Sequence, residues 1–289
     1  MSSSTIEKWA QSLLTPSPIG LFIAIVLAIS IPILLHGFVF RTSGLVTLPY
    51  IVLVGPSGSG KTSLLTLFER GANASTHTSQ TPIAVECHLP VGTVAKSNQY
   101  RSANDPSSHV HKKFLLVDTP GHGKLRHHAL ECITKLQNLK GLIFVVDAAT
   151  LSAGDEGLRQ TADFLHDFLL VLQKRVGTKT TKALKAIPIL IAANKMDLFT
   201  ALPVALVKSS LEGAVSKVRV SRSKGLLDSG IGMDDDVNEK DDWLGEMGSE
   251  EFKFSQMEEF DIAIEVVGGN ILGDDPTVER WWEWISQRL

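Results

Sequence analysis

Apolar positions along this chain form one long block and then a series of short runs. The block is Ile19–Phe40, a stretch without a single charged residue. A helix rises about 1.5 Å per residue, so this stretch would reach about 33 Å, enough for a bilayer core of about 30 Å. It predicts one transmembrane helix, preceded by a short polar segment, Met1–Pro18. A secretory leader would show a basic start, a shorter apolar core and a small-residue cleavage site, and none of these is clear. Downstream, the runs Tyr50–Val54, Ile83–Leu89, Lys112–Val117, Gly141–Asp147, Ile187–Ala193 and Phe260–Val267 predict strands. Helical spacing is predicted from Ser63 onward and over Leu125–Leu139, Asp155–Val176, Pro203–Val220 and Pro276–Leu289.

Strands alternating with helices imply an α/β fold, with a mostly parallel central sheet covered by helices on both faces. The pattern breaks twice. Pro90–His111 is a polar connection, and Ser221–Glu251 is rich in Gly, Ser and acids, including Asp234-Asp235-Asp236. The second stretch lacks calcium-loop spacing and predicts a solvated, disordered insertion at about 221–251. The expected organisation is a short N-terminus on the far side of the membrane (1–18), a span (19–40) and a cytosolic domain (41–289).

Composition narrows the partners. Of 289 residues, 20% are charged and the net charge is −3, so no direct nucleic-acid binding is expected. The two cysteines, Cys87 and Cys132, predict packed thiols rather than a disulfide framework.

Candidate chemistry sits at strand ends, where ligands bind in such sheets. Directly after Tyr50–Val54 comes Gly55-Pro56-Ser57-Gly58-Ser59-Gly60-Lys61-Thr62, followed by Ser63. This fits the phosphate-binding loop G-x-x-x-x-G-K-[ST] in its strand–loop–helix context. Glycines let backbone N–H groups wrap phosphates, and the helix N-terminus adds its positive end. Lys61 is expected to reach the β- and γ-phosphates, and the Thr62 hydroxyl to hold Mg²⁺. Asp118-Thr119-Pro120-Gly121 fits D-x-x-G, with Asp118 on the Mg²⁺ side and the Gly121 N–H sensing the γ-phosphate. Asn194-Lys195-Met196-Asp197 fits N-K-x-D. Asp197 can accept from guanine N1–H and the exocyclic amine, a donor pair adenine lacks. Asn194 would fix the loop, and the Lys195 stem would stack on the purine. Unmatched polar groups then select GTP and GDP over adenine nucleotides.

Among the hydroxyls of the polar loop Gly71–Pro82, Thr81 is the candidate for completing the Mg²⁺ shell, with Thr76 and Thr78 competing. His122 follows D-x-x-G, where many small GTPases carry the glutamine that orients water. It is the catalytic candidate, with slow intrinsic hydrolysis expected. Ser57 stands where many small GTPases have Gly. The pair His127-His128 lacks metal-ligand spacing.

These ordered motifs behind an apolar span resemble the signal recognition particle receptor β-subunit family, Ras/Arf-like GTPases. The resemblance rests further on Asp118-Thr119-Pro120-Gly121-His122 with Leu125-Arg126, on Val218-Arg219-Val220-Ser221-Arg222-Ser223, and on Phe252-Lys253-Phe254-Ser255-Gln256. It implies a single-pass endoplasmic reticulum protein that binds GTP and Mg²⁺ and holds the receptor α-subunit through that subunit's N-terminal domain, with ribosome and translocon as indirect partners. The surface expected to meet that partner runs from Thr81 to Gly121–Arg126, because both segments respond to γ-phosphate. One departure stands out. The family of small GTPases usually carries S-A-K after its last strand, and here the stretch is Ile264-Glu265-Val266-Val267-Gly268-Gly269. Backbone N–H groups at Val266 and Val267 are the candidates for guanine O6. An Arf- or Sar-like trafficking GTPase is the alternative, but the Met-Gly start and C-terminal Cys box of lipidated relatives are missing. A translational GTPase would carry further domains.

Overall fold

A computed structural model of the chain describes residues 18, 22, 25–32, 48–72, 74–89, 113–136, 138–177, 187–228, 243–246, 249, 251–273 and 276–289. The chain divides into two compact units, Met1–Thr47 and Leu48–Leu289. In the first, the described residues between 18 and 32 are helical, and Phe22, Ile25, Val26, Leu27, Ile29 and Ile31 are exposed. Among the described residues no helix is long and apolar enough to cross a membrane. Most of the predicted span Ile19–Phe40 lies outside the described residues, as do residues 90–112 and 229–242.

The second unit is built on six strands: β1 (Tyr50–Val54), β2 (Ile83–His88), β3 (Lys113–Asp118), β4 (Leu139–Asp147), β5 (Ile189–Asn194) and β6 (Ile264–Gly268). They lie in the order β2-β3-β1-β4-β5-β6. Every neighbouring pair is parallel except β2 with β3. The helices are α1 (Lys61–Arg70), α2 (Arg126–Lys135), α3 (Ala148–Ser152), α4 (Asp155–Gly177), α5 (Val204–Asp228) and α6 (Glu279–Ser286).

The continuous apolar runs follow from burial on both faces. Side chains alternate across a strand, so β1 sends Ile51 and Leu53 to one core and Val52 and Val54 to the other. The first core takes Leu64 and Phe68 of α1 with Trp281 and Trp284 of α6. Trp282 stacks on Phe68 with ring centroids 4.0 Å apart. The second core takes Phe164 and Phe168 of α4, Leu211 and Val215 of α5, and Phe252 and Phe254.

The structure corrects several boundaries. α5 continues past Val220 to Asp228, so the start of the expected acidic insertion is helical. Residues 254–260 form a 3₁₀ helix (Phe254–Phe260), and the last strand begins only at Ile264. Leu139 belongs to β4, not to the helix before it, because Tyr50 of β1 pairs with Leu139 across a local irregularity, and Lys140 extends the same strand.

The far side of the acidic stretch is tied down. Arg219 of α5 is buried and donates to the Leu244 carbonyl at 3.2 Å and to the Ser249 carbonyl. Its guanidinium lies 4.5 Å over the Trp243 ring. The Phe252 N–H donates to the Ser216 hydroxyl, and the Phe254 N–H to the Glu212 carboxylate. The two sequence segments around Arg219 and Phe254 are therefore one hydrogen-bonded unit. Most of the polar groups joining them are matched, as burial requires, although Arg219 Nε is buried without a hydrogen-bond partner.

Candidate functional site: a phosphate cradle joined to a base-reading loop

The carboxyl ends of β1, β3 and β5 lie at one edge of the sheet, and the loops leaving them are fastened to one another. The loop from Gly55 to Gly60 joins β1 to α1. Gly60 has φ +102, a left-handed conformation, and an added Cβ would lie 2.4 Å from the Asn194 amide nitrogen. Both constraints require glycine there. Lys61 is buried, and its Nζ donates to the carbonyls of Gly55 at 2.9 Å and Pro56 at 2.8 Å. Burial pushes its ammonium down to about 8, against the opposing pull of the Asp118 carboxylate. That is a cation poised to gain from phosphate oxygens.

Asp118 ends β3 fully buried. Its Oδ2 accepts from the Thr62 hydroxyl at 2.7 Å and from the Ser79 hydroxyl at 2.7 Å, and the two hydroxyls are 2.9 Å apart. Its Oδ1 is buried with no hydrogen-bond partner. A half-satisfied carboxylate beside two hydroxyls is an all-oxygen set that suits a hard divalent cation such as Mg²⁺. Thr119 donates from its hydroxyl to the Leu53 carbonyl at 2.7 Å, fixing the D-x-x-G loop to β1. Gly121 presses on the phosphate loop so closely that a Cβ would lie 2.7 Å from the Gly55 oxygen. A cleft of about 210 Å³ opens here, lined by Ser57, Gly58, Gly60, Lys61, Thr62, Ser63 and Gly121 together with Thr76–Ser79.

Asn194 closes the N-K-x-D side of the cleft. Its Nδ2 donates to the Ser59 carbonyl at 2.8 Å, and its Oδ1 accepts from the Ile271 N–H at 3.2 Å. Lys195 has φ +63, and its Nζ meets Asp147 Oδ2 at 2.6 Å. Asp147 ends β4 and also caps α3, accepting from the N–H groups of Ala149 and Thr150. Burial works against its charge, but the hydrogen bonds from Lys195 and Thr150 outweigh it and hold the carboxyl below its usual range. Asp197 is exposed at the end of the loop.

Four expected positions fall elsewhere. Thr81 is exposed and does not line the cleft; Ser79, two residues earlier, meets Asp118 instead. His122 is exposed, and its Nδ1 accepts from the Lys124 N–H at 3.3 Å, capping the 3₁₀ turn Gly123–Leu125. Its ring is thereby engaged with its own turn and lines no part of the cleft. Val266 and Val267 lie within β6, opposite Ile191 and Ala192. The segment that meets the base-reading loop starts later: the Gly269 carbonyl accepts from the Met196 N–H at 3.2 Å, and Ile271 bonds Asn194. Sequence reasoning missed Ser79, Thr119, Asp147 and Gly269–Ile271. Only Asp147 carried a signal, an acid closing a buried strand.

Comparison with known proteins agrees with this geometry. The family described as "Signal recognition particle receptor beta subunit" matches residues 47–260. The signal recognition particle receptor subunit beta of Saccharomyces cerevisiae is 32% identical over 246 residues, which cover 83% of this chain and 84% of that protein. The signal recognition particle receptor SRb-GTP/SRX complex from Chaetomium thermophilum is 40% identical with a TM-score of 0.68, covering 83% of this chain and all of that one. The SRb-GDP-Mg structure from the same organism is 42% identical with a TM-score of 0.62, covering 86% of this chain and all of that one. Phosphate cradle, base-reading loop and sheet order thus come together in a chain that belongs to the signal recognition particle receptor β-subunit family.

Proposed function

We propose that this chain is a membrane-anchored, GTP-binding receptor subunit. It holds the signal recognition particle receptor α-subunit at the endoplasmic reticulum, through that subunit's N-terminal domain. The observation that carries the reading is Asn194, which hydrogen-bonds the phosphate loop at Ser59 and the post-β6 turn at Ile271. Base recognition and phosphate binding are thereby one rigid unit. The solved relatives described as GTP and GDP-Mg forms support guanine nucleotide with Mg²⁺ as the ligand.

In this reading the backbone N–H groups from Gly58 to Thr62, with Ser63 beside them, receive the phosphates, and Lys61 exchanges its two carbonyl partners for phosphate oxygens. Thr62 and Asp118 would hold Mg²⁺, which would supply positive charge to offset that of the phosphates. Asp197 accepts from the guanine edge, while Lys195, braced by Asp147, lies along the base. The Gly121 N–H reads the γ-phosphate, and the neighbouring segment Gly123–Arg126 carries that state to the surface. Arg126 is braced there 4.6 Å over the Phe164 ring of α4. Hydrolysis without a partner is slow, because His122 must leave its capping bond before it can orient water. The uncharged block Ile19–Phe40 is the anchor, Met1–Pro18 lies across the membrane, and the domain from Arg41 faces the cytosol, where GTP and Mg²⁺ are supplied.

The test is a capture experiment. Full-length protein in detergent, loaded with a non-hydrolysable GTP analogue or with GDP, is used to retain the α-subunit from a membrane extract. Retention with the GTP analogue alone establishes partner and switch together. Retention in neither state, with nucleotide bound, rules out the receptor role and favours a trafficking GTPase.

A further inference from the structure

We propose that the outer face of α5, with the loop that leads into it, docks on the surface of a bilayer carrying anionic headgroups. The inference rests on the membrane-anchored reading above and adds to it the face that the domain turns toward lipid.

Apolar side chains gather on this face. Among the described residues from Leu48 onward, six large apolar side chains are exposed, and four of them, Leu198, Phe199, Leu206 and Val220, lie on α5 or in the loop before it. Phe199 is fully exposed. Leu206, Gly213 and Val220 follow at seven-residue spacing, so they share one stripe of the helix, and all three are exposed. Packing within the domain does not demand glycine at the centre of that stripe, since a Cβ added at Gly213 would meet nothing within 4 Å. An apolar cluster of this kind marks an interaction surface.

Charge selects the occupant. Between Val204 and Arg222 the exposed charged residues are Lys208, Lys217 and Arg222, all basic. Glu212, the one acid of that stretch, is buried and accepts from the Phe254 N–H. Arg222 is engaged by Asp163 and Asp167 of α4, which leaves Lys208 and Lys217 as cations without an acidic partner among the described residues. Lys217 shares a cleft of about 340 Å³ with Asp155 and Asp163. Asp163 is held by Arg222, and Asp155 lies in the first turn of α4, where the helix dipole offsets its charge. Asp197, next to Leu198, is taken up by the base in the reading above. A second copy of this face would bring lysine against lysine, so charge opposes self-association. A headgroup layer fits both features: apolar side chains enter the headgroup–acyl boundary, and lysine stems lie along it while their ammonium groups meet lipid phosphates. In the anchored reading, the seven residues Arg41–Thr47 between the uncharged block and Leu48 reach at most about 25 Å. Lipid is then at high local concentration, and weak docking is enough to orient the domain.

The test uses full-length protein reconstituted into phosphatidylcholine vesicles with or without phosphatidylserine. The lipid carries a quencher just below the headgroup, and the protein a fluorophore on one introduced cysteine. Ser209→Cys puts the fluorophore on the α5 face, and Glu283→Cys puts it on α6, across the sheet. Both variants also carry Cys132→Ser, while Cys87 is buried. With phosphatidylserine present, quenching at position 209 is expected to exceed that at position 283 several-fold. Lys208→Glu combined with Lys217→Glu is expected to lower the ratio of docked to free domain by about tenfold or more, with GDP binding retained. Omitting phosphatidylserine acts in the same direction, as does Phe199→Ser. Equal quenching at the two positions, or quenching at position 209 that ignores both lysine reversal and lipid charge, overturns the proposal. Protein that stays in the vesicles with no quenching at position 209 also overturns it, and leaves the face to a protein partner. Full-length protein that an alkaline wash strips from the vesicles overturns the anchored reading itself, and this inference with it.

Discussion

Asn194 and Ser59 stand 135 residues apart in the chain, yet the Asn194 amide donates to the Ser59 carbonyl at 2.8 Å. The same side chain accepts from Ile271, so three loops share one residue. Asn194→Ala would strip both partners in a buried setting, at about 1–3 kcal/mol for each group left unmatched. Stability is expected to fall by about 2–4 kcal/mol in urea unfolding, and GDP affinity to weaken at least tenfold. Wild-type stability in that variant would mean that water replaces the amide without cost.

Asp197 is exposed at the end of its loop, and in the proposed reading its carboxylate accepts from the base edge. Asp197→Asn replaces one acceptor with a donor amine. The variant should weaken GTP binding by about a hundredfold and gain binding of xanthosine triphosphate, which presents a carbonyl there. Competition titration with the two nucleotides reads both changes. Equal GTP affinity in variant and wild type would refute the base-reading role.

Gly121 lies where an added Cβ would sit 2.5 Å from Lys61 Nζ and 2.7 Å from the Gly55 carbonyl oxygen. One of those neighbours is backbone, so a side chain there must push the loops apart. Gly121→Ala is expected to lower nucleotide affinity by tenfold or more while circular dichroism remains that of the wild type. Full affinity in this variant would show that the two loops separate easily.

Burial pushes the Cys87 thiol up to about 12, with the nearby Glu69 carboxylate adding to the shift. Cys132 is also raised by burial but is only partly covered. Thiolate is the reactive form, and its fraction grows as pH rises toward the pKa. At pH 8, iodoacetamide should therefore label Cys132 well before Cys87, and Cys87 should label readily only in denaturant. Peptide mass spectrometry distinguishes the two sites. Equal labelling in the native protein would contradict the burial of Cys87.

The phosphate loop, Asp118 and Asn194 were legible because each motif is continuous in sequence and follows a strand whose apolar run announces it. Ser79 was not. It lies in a loop with no period, among several hydroxyls at similar spacing, and only the three-dimensional return of that loop to α1 selects it. The bond between Lys195 and Asp147 depends on the register of β4 with β5, which pairs Asp147 with Asn194. No local pattern encodes that register. Val266 and Val267 lie within β6, and without Ser-Ala-Lys no local pattern marks where that strand gives way to its loop. The helix start at Val204 was readable from Pro203, whereas its end at Asp228 had no stop signal among the polar residues after Val220.

Arg219 anchors Leu244 and Ser249 to α5, and with Ser216 and Glu212 it seats the return of the chain. The return of the chain is therefore seated by α5 itself, whatever the length of the connection from Asp228 to Trp243. Lengthening such a connection costs little, about 0.6 kcal/mol for each doubling of its length. Changes of length between Asp228 and Trp243 are therefore expected to leave the seating of Leu244 and Phe254 on α5 in place, which urea unfolding of a lengthened variant would check. Arg219 itself, by contrast, is the position that such engineering must leave alone.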